Sequence, residues 1–132
     1  MADFLDTINE WIEEVEATVD DVIQTIAIKV GTQVITMSPV DTGLFKGNWQ
    51  MTIDETSDMS LLRYDQTGDR TIAALAAKAN SFTAGQIAYI QNHVLYGYDL
   101  EYGSSTQAPD GMVRLTEAQF LRIVEDAIRL SR

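Results

Sequence analysis

Within SPVDTGLFKGNW, residues 38–49, the tripeptide Asp41-Thr42-Gly43 sets a carboxylate beside a hydroxyl and a glycine. Aspartic proteases use this tripeptide to activate water, with two such aspartates sharing one proton. That chemistry needs the aspartate at the tip of a β-loop framed by apolar strands. Here the tripeptide follows Ser38-Pro39 at the end of a segment with helical periodicity, and no apolar-apolar-glycine element follows downstream. A structural account of the same residues is better specified. Pro39 fixes φ and stops the helix. Asp41 and Thr42 are expected to bond forward to backbone N–H groups as an Asx or N-cap turn, and Gly43 to supply a positive φ. Pro39, Asp41, Thr42 and Gly43 are therefore expected to form a rigid bend, with no catalytic residue among them.

The remaining chemistry-bearing groups are sparse. His93 is the only histidine, so any Ser/His/Asp triad would have to be built around it, and it sits in an apolar-aromatic run. The carboxylates of residues 54–58 (DETSD) lack the spacing and the glycine of a calcium loop. No glycine-rich phosphate loop occurs, and with no cysteine there is no thiolate nucleophile, disulfide or thiolate metal site. Tyr89, Tyr96, Tyr98 and Tyr102 have the faces to stack nucleobases but no basic neighbours to hold the backbone, which favours core and contact roles. No cofactor or metal is expected.

The elements that would position these residues follow from periodicity. Apolar residues at 4, 5, 8, 11, 12, 15, 19, 22, 23, 26, 30 and 34 recur at steps of three and four, with acids on the other face. They predict a long amphipathic helix over residues 1–37, ended by Pro39. At about 45 Å it is longer than a small domain needs, so either it bends or part of it packs on a neighbouring copy. Residues 48–54 alternate with Trp49, Met51 and Ile53 on one side, and residues 86–94 (QIAYIQNHV) are rich in β-formers; both predict strands. Residues 55–70 read as a mobile loop or hairpin extension, 71–80 as a short helix, 95–102 as one helical turn or a strand end, and 103–111 as an exposed loop. Thr116-Glu117-Ala118-Gln119 matches a capping box that would open a final helix over 114–132, with Phe120, Ile123, Val124, Ala127 and Ile128 on its apolar face. The expectation is one α+β domain, residues 1–132: a long N-terminal helix and a C-terminal helix packed on a small, mainly antiparallel β-sheet carried by residues 38–113.

Charge narrows the partners. The net charge is −11, and eight acids precede the first base, Lys29. A sequence-reading nucleic-acid binder carries the opposite footprint. Two readings of the acidic face stand: a solvated helix surface, or a wall that faces DNA without gripping it. No apolar run approaches the roughly 20 residues of a membrane span, and the Met1-Ala2-Asp3 start is acidic where a secretory leader is basic.

Two stretches together resemble a known family. SPVDTGLFKGNW after a long helix is similar to the Pro-Val-Asp-Thr-Gly segment of the tail-completion proteins (neck, minor tail component) of long-tailed bacteriophages. YIQNHVLYGYDLEYGSSTQAPDGMVRLT, residues 89–116, resembles the same family's second signature through Asn92, Tyr96, Glu101, Gly103, Gln107-Ala108-Pro109, Gly111 and Met112-Val113-Arg114. Gly97 departs from a frequent alanine, and residues 55–85 have no counterpart. The resemblance implies a non-enzymatic virion protein, assembled in the bacterial host cytoplasm, whose copies form a hexameric or dodecameric ring at the head–tail junction. It implies head-connector or adaptor and tail-tube or terminator proteins as partners, with DNA passing non-specifically through the lumen and no membrane. A tail terminator or stopper of the same neck, or a small interaction domain, are the alternatives. Subunit contacts are expected from the loops 55–70 and 103–112 and the tyrosine beside the second: Leu61, Leu62, Tyr102, Gln107, Pro109 and Met112, because exposed apolar side chains are costly unless covered.

Overall fold

The computed structural model describes residues 2–94, 97–102, 107–108 and 111–130. Tyr96, Gly103, Pro109 and most of the 103–112 loop lie outside them. The order of elements is α1 (Ala2–Met37), a 3₁₀ turn (Lys46–Asn48), β1 (Gln50–Ile53), α2 (Asp69–Ala79), β2 (Ala88–Gln91), α3 (Gly97–Glu101), α4 (Val113–Ala118) and α5 (Phe120–Leu130). β1 and β2 pair antiparallel, Gln50 opposite Gln91 and Ile53 opposite Ala88. The chain is α+β and mostly helical, with a long N-terminal helix, a C-terminal helix and a two-stranded sheet.

α1 divides into two halves with different surroundings. From Asp20 onwards it packs on α2, α4 and α5. Gly31 makes the α1–α2 approach possible, because a Cβ there would overlap the side chain of Leu75. Ala27, Val34 and Ile35 of α1 join Phe45, Trp49, Met51, Leu75, Ala79, Ala108 and Met112 in one core, where the rings of Phe45 and Trp49 meet edge to face at 5.9 Å. The helix end is held by a buried relay. The Trp49 indole donates to Ser38 Oγ at 2.7 Å, and that hydroxyl donates to the Val34 carbonyl at 2.6 Å. This satisfies a polar group that a buried tryptophan must pair.

Three expectations need correction. Residues 55–68 are neither a hairpin nor a free loop, because side chains strap them along residues 43–49. Asn48, fully buried, accepts from Leu61 N at 2.6 Å and donates to Leu61 O at 3.0 Å. Arg63 donates to the carbonyls of Gly47 at 2.7 Å and Trp49 at 3.1 Å. A side-chain amide that presents one donor and one acceptor imitates a β-ladder contact without a strand. Second, Thr116 does not cap the last helix. It lies inside α4, and its hydroxyl bonds back to Met112 O at 2.7 Å. The predicted helix over 114–132 is instead two, α4 and α5, broken at Gln119. Third, β1 starts two residues later and β2 is shorter than periodicity suggested, since the 3₁₀ turn takes Asn48.

Candidate functional site

The bend at residues 39–43 is a structural joint. Gly43 has φ +88°, and its carbonyl accepts from Gly47 N at 2.9 Å and Asp65 N at 3.0 Å. A Cβ at Gly43 would lie 2.7 Å from Asp65 N, so glycine is demanded twice, by φ and by space. Thr42 bonds forward as expected, its Oγ1 accepting from Leu44 N at 3.3 Å. Asp41 departs from expectation. It is exposed, and among the described residues its carboxylate takes no hydrogen bond; only its carbonyl is engaged, by Gln66 at 3.4 Å.

The carboxylate that organises this region is Asp65, which sequence alone did not single out. It is buried, accepting from Gly68 N at 3.1 Å through Oδ1 and from Thr71 N at 2.8 Å and Thr71 Oγ1 at 2.7 Å through Oδ2. Burial opposes its charge, but the Thr71 and Gly68 donors outweigh that and hold its pKa below the usual carboxylate range. These bonds cap the first turn of α2, whose orphan N–H groups need an acceptor.

A second carboxylate does the same for α4. Glu101 accepts from Met112 N at 2.9 Å, Val113 N at 2.7 Å and Arg114 N at 3.0 Å, and pairs with Arg114 Nε at 3.1 Å. Burial again opposes ionisation, and the three backbone donors with the Arg114 side chain outweigh it and lower the pKa. Two further contacts bring the two signature stretches together. Gln107 accepts from Val40 N at 3.0 Å and donates to Val40 O at 3.1 Å, while Asn92 donates to Phe45 O at 2.8 Å. Val40 and Phe45 of the first stretch are thus tied to Gln107 and Asn92 of the second.

The proposed contact residues scatter under this geometry. Met112 is 1% exposed and belongs to the core, which removes the reason for placing it at an interface. Gln107 is spent on Val40 within the chain. Leu61 is half-buried by the Asn48 clamp. Leu62 is 91% exposed, and Tyr102 is exposed at its rim while its ring lies 4.6 Å beneath the Arg114 guanidinium. Pro109 lies outside the described residues.

A bare apolar stripe runs along the first half of α1. Every residue from 3 to 19 is exposed, about 25 Å of helix at 1.5 Å per residue. Its apolar stripe of Phe4, Leu5, Ile8, Trp11, Ile12, Val15 and Val19 is uncovered, each side chain 38–65% exposed. The helix leaves the body where Asp20 accepts from Ala84 N at 2.8 Å and Gln24 donates to Phe82 O at 2.9 Å. Beyond that point the same helix face forms the floor of an apolar groove. Two adjoining depressions of about 500 and 460 Å³ share Val30, Ile90 and Phe120. Among the described residues Glu117 is the only charged one lining either.

Among the described residues no group of three or more His, Asp or Glu side chains is placed to hold a metal ion. His93 Nε2 contacts the Gln91 side-chain amide at 3.3 Å. No described helix is long and apolar enough to cross a membrane. Comparisons with family models, with curated proteins and with solved structures each find no match.

Proposed function

We propose that this chain is a structural subunit of a phage neck, a tail-completion protein whose copies form a ring between head connector and tail tube. The observation that carries the assembly part of this reading is the bare apolar stripe of α1. A monomer that leaves seven large apolar side chains on a projecting helix exposes an apolar patch of the size that marks interaction sites. The two-part sequence resemblance supplies the phage context, and the hydrogen bonds of Gln107 to Val40 and of Asn92 to Phe45 give those residue types a shared structural reason.

The charge distribution suits the role. Eight acids and no base lie in residues 1–28, so a polyanion passing that helix would be repelled, not held. Closed rings are built from heterologous contacts, in which one patch meets a different patch on the neighbour, and the stripe and the groove are two such patches. Asp41, exposed and with its carboxylate in no hydrogen bond among the described residues, has no part in chemistry on this reading.

Negative-stain imaging of the purified protein, alone and mixed with tail tubes lacking their head-proximal cap, tests the proposal. Rings, and tubes capped by a ring at one end, are expected. Featureless monomers in both samples would overturn it.

A further inference from the structure

The geometry points to a specific pairing between copies: the apolar stripe of the first half of α1 docks into the groove that a second copy builds from α1, β2, α4 and α5. This pairing deepens the neck-ring reading, and its closure into a ring rests on that reading. The pairing itself stands on three observations.

The first is chemical match. The stripe offers aromatic and branched aliphatic side chains with no charge among them, and the groove presents Ile23, Val30, Phe82, Ile90, Phe120 and Leu121, with Glu117 the one charged residue of its described lining. The second is area. Seven side chains at these exposures present on the order of 600 Å² of apolar surface. Covered by an equal area of groove, they bury on the order of 1,200 Å², the lower edge of a specific protein interface.

The third is charge, which decides between the two ways a second copy could cover the stripe. Stripe against stripe would set the six acids of residues 3–19 beside six more with no base between them. Stripe in groove sets them beside a groove whose described lining holds one acid, Glu117. Like charges close together oppose the first arrangement. Each copy then gives its helix to one neighbour and receives a helix from another, which is a heterologous contact.

The test uses two double variants of the full chain. Ile8→Gln with Trp11→Gln removes the stripe while keeping good helix formers. Ile87→Glu with Leu121→Glu places charge on the groove rim at positions 58% and 77% exposed, where folding is not at stake. In sedimentation velocity the wild type is expected to associate and each variant to run as a monomer with an unchanged melting curve. Mixing the two variants should restore a one-to-one heterodimer, because one intact stripe then meets one intact groove. Since the chain has no cysteine, a second measurement is clean: Ile12→Cys with Leu121→Cys should oxidise to a ladder of multimers, and Ile12→Cys alone should give none.

A dimer from Ile12→Cys alone would mean stripe against stripe and overturn the pairing. So would a groove variant that associates like the wild type, or a wild type that stays monomeric and floats with phosphatidylcholine vesicles through the stripe. Rings that cap tail tubes despite both double variants would overturn the pairing and leave the neck reading standing. Complementing variants that never join tails would do the reverse.

Discussion

Asp65→Asn probes the joint most sharply, because it keeps the shape and removes the charge. The carboxylate serves donors with both oxygens: Gly68 N at 3.1 Å on one, Thr71 N at 2.8 Å and Thr71 Oγ1 at 2.7 Å on the other. An amide has one acceptor oxygen, so its NH₂ must face either Gly68 N–H or Thr71 N–H. Thr71 is fully buried, and water cannot stand in. Two charge-assisted bonds at about 1.5–3 kcal/mol each are weakened or lost, partly offset because a neutral amide costs less to bury than an ion; the expected net loss is about 3 kcal/mol. For a chain of this size that lowers the melting temperature by about 10 °C. The pH dependence supplies a second check. The folded-state pKa of Asp65 is lowered, so its stabilisation is complete above the unfolded aspartate value of about 3.9 and is lost as pH falls through the folded value. The gap in urea unfolding free energy between wild type and variant should be constant from neutrality to about pH 5 and should close below about pH 4. A loss under about 1 kcal/mol at neutral pH, or a gap that persists unchanged in acid, would refute the account.

Glu101→Gln should cost about 1–2 kcal/mol by loosening the start of α4, with its difference from wild type also closing in acid because that pKa is lowered too; amide exchange at Met112, Val113 and Arg114 should quicken, and unchanged exchange would remove Glu101 as the cap. Gly43→Ala should cost about 2 kcal/mol or more, since φ +88° and a Cβ 2.7 Å from Asp65 N both oppose it. Asp41→Ala should stay within about 0.5 kcal/mol because its carboxylate takes no hydrogen bond among the described residues, and a peptidase activity abolished by Asp41→Asn would contradict the whole reading. In a Trp49→Phe background the remaining Trp11, 64% exposed, should be readily quenched by the neutral quencher acrylamide in dilute monomer and protected on association; quenching that ignores concentration would place the contact elsewhere.

Much of the backbone is legible in the residues themselves. The period of three to four over residues 4–34 and the Pro39 stop place α1 to within a few residues, and alternation at Trp49, Met51 and Ile53 places β1. These signals are local, since each element's own neighbours in sequence set its period and its end. The capping box at Thr116 fails because its four letters are equally compatible with a hydroxyl bonded back to the preceding turn, and Glu101, distant in sequence, takes the cap. The strap over residues 55–68 is invisible in sequence because a polar, turn-rich composition is what both a free loop and a clamped one look like. The side-chain bonds of Asn48 and Arg63 distinguish them.

The amphipathic stripe itself is written in the sequence, together with the acids that share its helix. Composition and period state that one face of α1 is apolar; they cannot state where along the helix that face is covered. Tertiary packing decides that, because α2, α4 and α5 reach only the second half of α1 and leave residues 3–19 bare. The same division holds at the bend. Sequence determines a turn at Pro39 and Gly43 and a carboxylate beside it, whereas the fold decides which carboxylate matters. Asp41 faces water and Asp65 is buried among donors, and a charge counts in proportion to the solvent it has lost and the hydrogen bonds that replace it.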